Sequence, residues 1–233
     1  MDVRKPKLVK NWRELLKEWG IIVLGVLTAL LAEQAVQSFE WRNKVDAAIA
    51  DMDNELGSGD GPQAYARVSM HDCIASRLSQ IRAAVERGDR KQSRKLIDSF
   101  WLPKGTYDSM AREAANASDI ASHMPHERML QYRITYEVVP DMDRLADREL
   151  ADLARLRALP ATGGLIGTAE KLSAIDAVEA LKLDNDAIVR ESRFVLNHML
   201  KMKLPLDRAF VELNLKEPRN HYQGCLQVPP HLR

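Results

Sequence analysis

Residues 19–41 read WGIIVLGVLTALLAEQAVQSFEW, a run apolar enough to enter a bilayer that still carries Glu33 and Gln34 before it ends. Three structures compete for it: a membrane-spanning helix, the core of a cleaved export signal, and a buried helix of a soluble domain. Its uninterrupted apolar part, Trp19 to Ala32, has a length at which all three occur. The aromatic residues separate them. At ~1.5 Å rise per residue, Trp19 and Trp41 stand about 33 Å apart on a helix, one hydrocarbon thickness with its interfaces, and Phe39 joins Trp41 at the outer end. Cleavage needs small residues one and three positions before the cut. A cut after Ala35 places Glu33 third, and a cut after Ala32 places Leu30. The run therefore reads as an uncleaved signal-anchor over residues 19–41.

The flanks orient it. Arg4, Lys5, Lys7, Lys10, Arg13 and Lys17 precede the run against only Asp2, Glu14 and Glu18, whereas Glu33, Glu40, Asp46, Asp51, Asp53 and Glu55 outnumber Arg42 and Lys44 beyond it. Positive flanks stay cytoplasmic, so residues 1–18 form a basic cytoplasmic segment and the rest of the chain is exported, giving a single-pass protein of the inner membrane with a periplasmic or extracytoplasmic domain. The whole chain, 233 residues with a formal net charge of +1, has no field of the kind that gathers nucleic acid, and no nucleic-acid partner is expected.

Gly25, Thr28, Ala29, Ala32 and Glu33 follow helical spacing, so small residues and a carboxyl share one face of the anchor. Small residues let helices approach closely, and Glu33 can be satisfied by Gln34 or by a neighbouring helix; self-association or pairing with another membrane helix is one reading. In the other, Glu33 snorkels or is protonated and the small residues are incidental.

Upstream, NWRE sets Asn11 three residues before Glu14, a capping-box pattern that starts a helix at Trp12. Val45, Ile49, Met52 and Leu56 continue it as a buried stripe, and GSGDGP at 57–62 is expected to turn the chain. A second helix starts near Pro62, carries Ile74, Leu78, Ile81 and Val85 on one face, and ends at Gly88. Short helices around SRKLIDSFW (93–101) and SMAREAANASDIA (109–121) flank Pro103 and Gly105. A longer region runs from Pro125 to Leu159 and is divided at Pro140. After the loop PATGGLIG (160–167), a long helix from Thr168 to Lys203 bears Leu172, Ile175, Val178, Leu181, Ile188, Val195 and Met199; LDRAFVELNL follows. No alternating strand pattern competes, so the fold is expected to be all-α, the transmembrane helix continuing into a helical bundle over 42–215 with an irregular tail over 216–233. The run DRLADRELADLARLR (143–157) reads as a solvated face.

Cys73 and Cys225 lie far apart in the chain. In an exported domain they can pair, closing a loop worth roughly 5 kcal/mol in the chain-entropy model; free thiols or intermolecular bonds are the alternatives. The search for chemistry yields little. ATGGLIGTAEKL has glycines before a helix, as an anion-binding turn does, but lacks the Lys-Ser/Thr of a phosphate loop and a preceding strand. His123, His126 and His198 with Met199 and Met202 offer soft-metal donors without regular spacing, and no Glu-x-x-His pair, nucleophile elbow or zinc helix is present. No catalytic residue, metal site or cofactor is assigned. Trp101, Tyr107, Tyr132 and Tyr136 either line a ligand pocket between bundle helices or fill the core.

The stretches EWGIIVLGVLTALLAEQ (18–34) and ELGSG (55–59), with TYDSMAREAANASDIASHMPHERMLQYRITYE (106–137), resemble an uncharacterised bacterial family of single-span, N-terminally anchored proteins with an all-α exported domain. Members often carry an aromatic soon after the membrane acid and amide, where this chain has Ala35 and Val36. The resemblance implies topology and fold and transfers no site residue. The expectation is a membrane-anchored, non-enzymatic interaction or accessory protein of the bacterial envelope, with a protein partner or a homo-oligomer formed through anchor or bundle. The alternative is a small-molecule-binding or sensory helical domain. Replacing Gly25 and Ala29 by Leu should weaken self-association in a membrane two-hybrid assay; unchanged association would rule that face out as the contact.

Overall fold

A computed structural model describes residues 12–160, 164–222 and 224–227. Asn11 of the expected capping box and most of the basic segment lie outside them. The described residues are helical with connecting loops and no strand. The chain divides into two compact units, Met1–Ala47 and Ala48–Arg233.

The first unit holds most of α1 (Trp12–Asn54), one helix long and apolar enough to cross a membrane: its most apolar 18-residue window has a mean hydropathy of 1.9, and none of that window is buried. Ile21, Ile22, Leu24 and Leu31 are exposed. Thr28 returns its hydroxyl to the Leu24 carbonyl (2.8 Å), and Glu33 accepts from Gln37, one turn on, rather than from Gln34 (3.3 Å).

The second unit contains α2 (Gly61–Arg87), α3 (Arg90–Asp98), α4 (Met110–Ala117), α5 (Ile120–His123), α6 (His126–Tyr136), α7 (Val139–Arg157), α8 (Thr168–Met202) and α9 (Arg208–His221). The expected turn at GSGDGP does not form. Residues Glu55–Asp60 make a π-helical turn, and the chain passes from α1 into α2 without leaving helical conformation. Gly61 donates its N–H to the Leu56 carbonyl, five residues back. In that register the donor owed to Gly57 would come from position 62, which is proline and has no N–H. The Gly57 carbonyl accepts instead from Asp207 (2.9 Å), the residue that caps α9 through its own side chain. Both buried glycines serve this approach. A Cβ on Gly61 would stand 2.6 Å from Leu206 Cδ2 and 2.7 Å from Met199 Cε, and one on Gly57 would stand 3.1 Å from the Pro205 carbonyl. The glycines are there for contact and not for a bend.

The core lies where α8 packs along α2 and α7, with α3 and α9 against α2. Ile74, Leu78, Ile81 and Val85 of α2 are buried as their spacing predicts, as are Val178, Leu181, Ile188, Val195 and Met199 of α8. Leu172 is an exception at 65% exposure, one turn into α8 and beyond the reach of the core. Gly88, at φ 75°, closes α2 in the left-handed conformation that glycine adopts without strain. Pro140 enters α7 in its first turn, where a missing N–H costs nothing, so the break falls at Glu137–Val138.

The tail departs from expectation. α9 runs through Pro218 to His221, so residues 216–221 are helical. Beyond it, Cys225 is joined to Cys73 of α2 by a disulfide (Cα–Cα 5.6 Å), Gln227 donates to the Ser69 carbonyl (3.1 Å), and the buried Tyr222 donates to the Trp101 carbonyl. The bond joins residues 152 positions apart and fixes Cys225 against α2.

Gly61→Ala should destabilise the bundle by about 1–3 kcal/mol, because overpacking against Leu206 and Met199 exceeds the ~1 kcal/mol gained in helix propensity. Gly59→Ala, where a Cβ meets nothing within 4 Å, should be neutral or stabilising. Denaturant unfolding followed by circular dichroism compares the two.

Candidate functional site

Two polar clusters inside the bundle are built from residues that interrupt apolar stripes. On α7 the stripe Met142, Leu145, Ala146, Leu153, Leu156 includes Glu149, and on α8 the stripe Val178, Leu181, Ile188, Val195 includes Asn185 and Ser192. Arg67 holds the equivalent place on α2, one turn before Met70. All four are buried. Arg67 donates to Glu149 and to Asn185 Oδ1 (3.1 Å), so one guanidinium ties the three main helices together. Burial pushes the Glu149 carboxyl up from its ordinary value against the opposing pull of Arg67. The 143–157 run is thus not a wholly solvated face: Glu149 points inward.

Beside this network lies the segment between α3 and α4, which has no regular structure because its amides are met by side chains of the π turn and of α2. Gln63 exchanges two hydrogen bonds with the Thr106 backbone (2.9 Å each), Asp60 Oδ1 accepts from the Asp108 amide (3.1 Å), and Glu55 Oε2 accepts from Ala111 in the first turn of α4 (2.9 Å). Asp60 is 1% exposed. Burial lifts its carboxyl to about 8, helped by the nearby charges of Glu55, Asp108 and Asp143 and opposed by the Asp108 amide. Burial thus favours the neutral acid at pH 7, with Oδ1 accepting from Asp108 and Oδ2 buried without a partner. Tyr107 packs against Leu145, Ala146 and Ile188, and burial raises its phenol to about 12. The cavity beside it, between Arg67, Glu149 and Gly105, is about 30 Å³, room for a single water.

The second cluster joins α6 to the last turn of α1. Arg128 reaches both carboxylate oxygens of Asp53 (2.7 Å each) and lies over the Tyr132 ring (5.0 Å), while the Tyr132 hydroxyl donates to the same carboxylate. Burial first, then the adjacent Asp53, raises the Tyr132 phenol. Next to it a cavity of about 220 Å³ opens between α4, α5, α6 and Met52.

The four aromatics considered as one pocket are dispersed. Tyr132 and Tyr136 are neighbours (ring centroids 6.5 Å), but only Tyr132 lines the larger cavity, Tyr136 being fully buried with its hydroxyl directed at the Met52 carbonyl (3.3 Å). Tyr107 belongs to the first cluster. Trp101 stacks on His221 (5.2 Å, 3°) and holds the tail. The glycine-preceded start of α8 is occupied: Glu170 accepts from the Gly167 amide (2.8 Å) and pairs with Arg90 (2.6 Å), which also binds the Pro160 and Gly164 carbonyls. Among the described residues no group of three or more His, Cys, Asp or Glu side chains is placed to hold a metal ion. Polar residues at stripe positions were the sequence signal for Arg67, Glu149 and Asn185; Asp60 carried none, since its burial follows from the π turn. Comparison with protein-family models, with curated proteins and with solved structures finds no match.

With its pKa raised on folding, Asp60 makes the folded state the stronger proton binder between about pH 4 and pH 8, so its contribution to stability is greatest below pH 4 and falls as pH rises to 8. Asp60→Asn keeps the acceptor for Asp108 and cannot ionise. Chemical denaturation across that range should show a flatter pH profile for the variant and greater stability than the native chain at pH 8.

Proposed function

We propose that the chain is a membrane-anchored accessory protein of a bacterial envelope that works by contact and not by catalysis. The observation that carries this reading is the apolar part of α1, none of which is covered by the protein itself. An apolar helix left so exposed needs lipid or another helix against it. The basic amino end and acidic outer flank favour a cytoplasmic N-terminus with the chain from residue 42 onward on the periplasmic side. The Cys73–Cys225 disulfide fits an oxidising compartment. Around Gly25 a Cβ would meet nothing within 4 Å, so the face it shares with Thr28, Ala29, Ala32 and Glu33 is open to a second helix. The family resemblance of residues 18–34 and 106–137 points the same way. The bundle offers its partner a cross-linked body: Arg67–Glu149 and Arg128–Asp53 join its helices, and Cys225 is bonded to α2.

In intact cells a membrane-impermeant maleimide should label the partly exposed Cys225 only after reductant is added, and the chain should resist extraction by carbonate. Labelling that requires lysis would overturn the exported topology. Recovery in the carbonate-soluble fraction would overturn the anchor. For the contact role, a photo-crosslinking residue at position 29 should give one discrete protein adduct in membranes; crosslinking to lipid alone would remove the anchor as a contact surface.

A further inference from the structure

We infer that the cavity between α4, α5, α6 and the last turn of α1 is a binding site for a small monocarboxylate with a compact apolar body. It belongs to the bundle alone, so its test is independent of the topology proposed above.

The walls and the mouth have different chemistry. At about 220 Å³ the cavity is far larger than a water site and approaches the size of small-ligand pockets. Its body is formed by Met52, Met124, Met129, Ala115 and Ala121. Thioethers are polarisable and adaptable, and make favourable contacts with aromatic rings, so three of them around one space suit a flat apolar group. The polar lining is Arg112, Arg133 and Asn116 beside Tyr132, with no carboxylate among the lining residues.

The guanidinium of Arg112 is what the cavity leaves unanswered, while Arg133 lines it from a solvent-exposed position. Inward-facing arginines elsewhere in the bundle are matched with acids: Arg67 with Glu149, Arg90 with Glu170, Arg128 with Asp53. Arg112 is held with its guanidinium carbon 5.7 Å over the Tyr136 ring, and its Nε–H is shielded from solvent with no acceptor. Arg133 forms no salt bridge with any described residue. Asp53 is engaged by Arg128 and Tyr132; Glu55, which is not among the lining residues, gives Oε2 to the Ala111 amide and keeps Oε1 buried without a partner. A shielded guanidinium N–H without an acceptor is unfavourable, and a planar two-oxygen anion supplies acceptors in the geometry that guanidinium groups prefer. A carboxylate at the mouth with its apolar body among the methionines satisfies both parts of the cavity at once. A bare anion would leave the methionine walls unfilled, and a neutral apolar molecule would leave Arg112 unanswered.

The probe is 4-fluorobenzoate, followed by fluorine NMR with the full chain in lipid nanodiscs and with empty nanodiscs as the control. Saturable broadening greater than that produced by empty nanodiscs is expected. Arg112→Gln and Arg133→Gln should each weaken binding about 10-fold. Ala121→Phe, which fills the cavity and keeps both arginines, should abolish it, with each variant's thermal melt verified by circular dichroism. 4-Fluorobenzyl alcohol should bind at least about 10-fold more weakly than the acid, and inorganic phosphate should not displace it. Broadening no greater than with empty nanodiscs, or binding unchanged by Ala121→Phe, overturns the site. Binding unchanged by both arginine variants, equal affinity for the alcohol, or full displacement by phosphate overturns the ligand class.

Discussion

A carbonyl without a helical donor organises the bundle. At Gly57 the helix widens to π register, and the position that should supply the next N–H is Pro62. A buried carbonyl must find a donor, and it finds Asp207 from the start of α9. That single bond brings the 203–207 segment onto the π turn, an approach possible only because Gly57 and Gly61 have no side chains. The same turn places Glu55, Asp60 and Gln63 toward the 106–111 backbone, whose amides they satisfy. A bend in the chain here would separate these contacts.

The main helices also meet at a buried ion pair that a change of register would break. Apolar faces slide past one another at modest cost; Arg67, Glu149 and Asn185 meet in only one alignment of α2, α7 and α8. Buried pairs of this kind are poor sources of net stability, since desolvation offsets much of the attraction, but a misaligned bundle would leave two charges buried and unpaired. Asp60 follows the opposite course. With no cation beside it, burial keeps its proton on and makes it a neutral hydrogen-bonding acid at neutral pH.

The two clusters divide the work of the bundle. The first is closed, with room for a single water, and its groups are directed at one another. The second is satisfied on one side, where Asp53 takes Arg128 and Tyr132, and open on the other, where Arg112 and Arg133 border a methionine-walled space. Cavities that persist beside unpaired charge are where a helical bundle accommodates something other than itself.

Much of this was legible in residue order. Amphipathic spacing placed the α2 and α8 cores, Pro140 and Gly88 placed helix ends, and the apolar run between Trp19 and Trp41 marked a helix long and apolar enough to cross a membrane. What the sequence alone could not decide turned on contacts between distant segments. GSGDGP carries every local sign of a turn, and it stays helical because Asp207, Pro205 and Leu206, far along the chain, complete it. The aromatic residues share a composition and not a place: Trp101 is drawn to the tail by His221 and Tyr222, and Tyr132 to Asp53. Local propensity and periodicity act over a few residues and so determined the helices. The π turn, the buried Arg67–Glu149 pair and the arginine-rimmed cavity depend on donors, acceptors and volumes supplied by chain far away in sequence, and only packing could decide them.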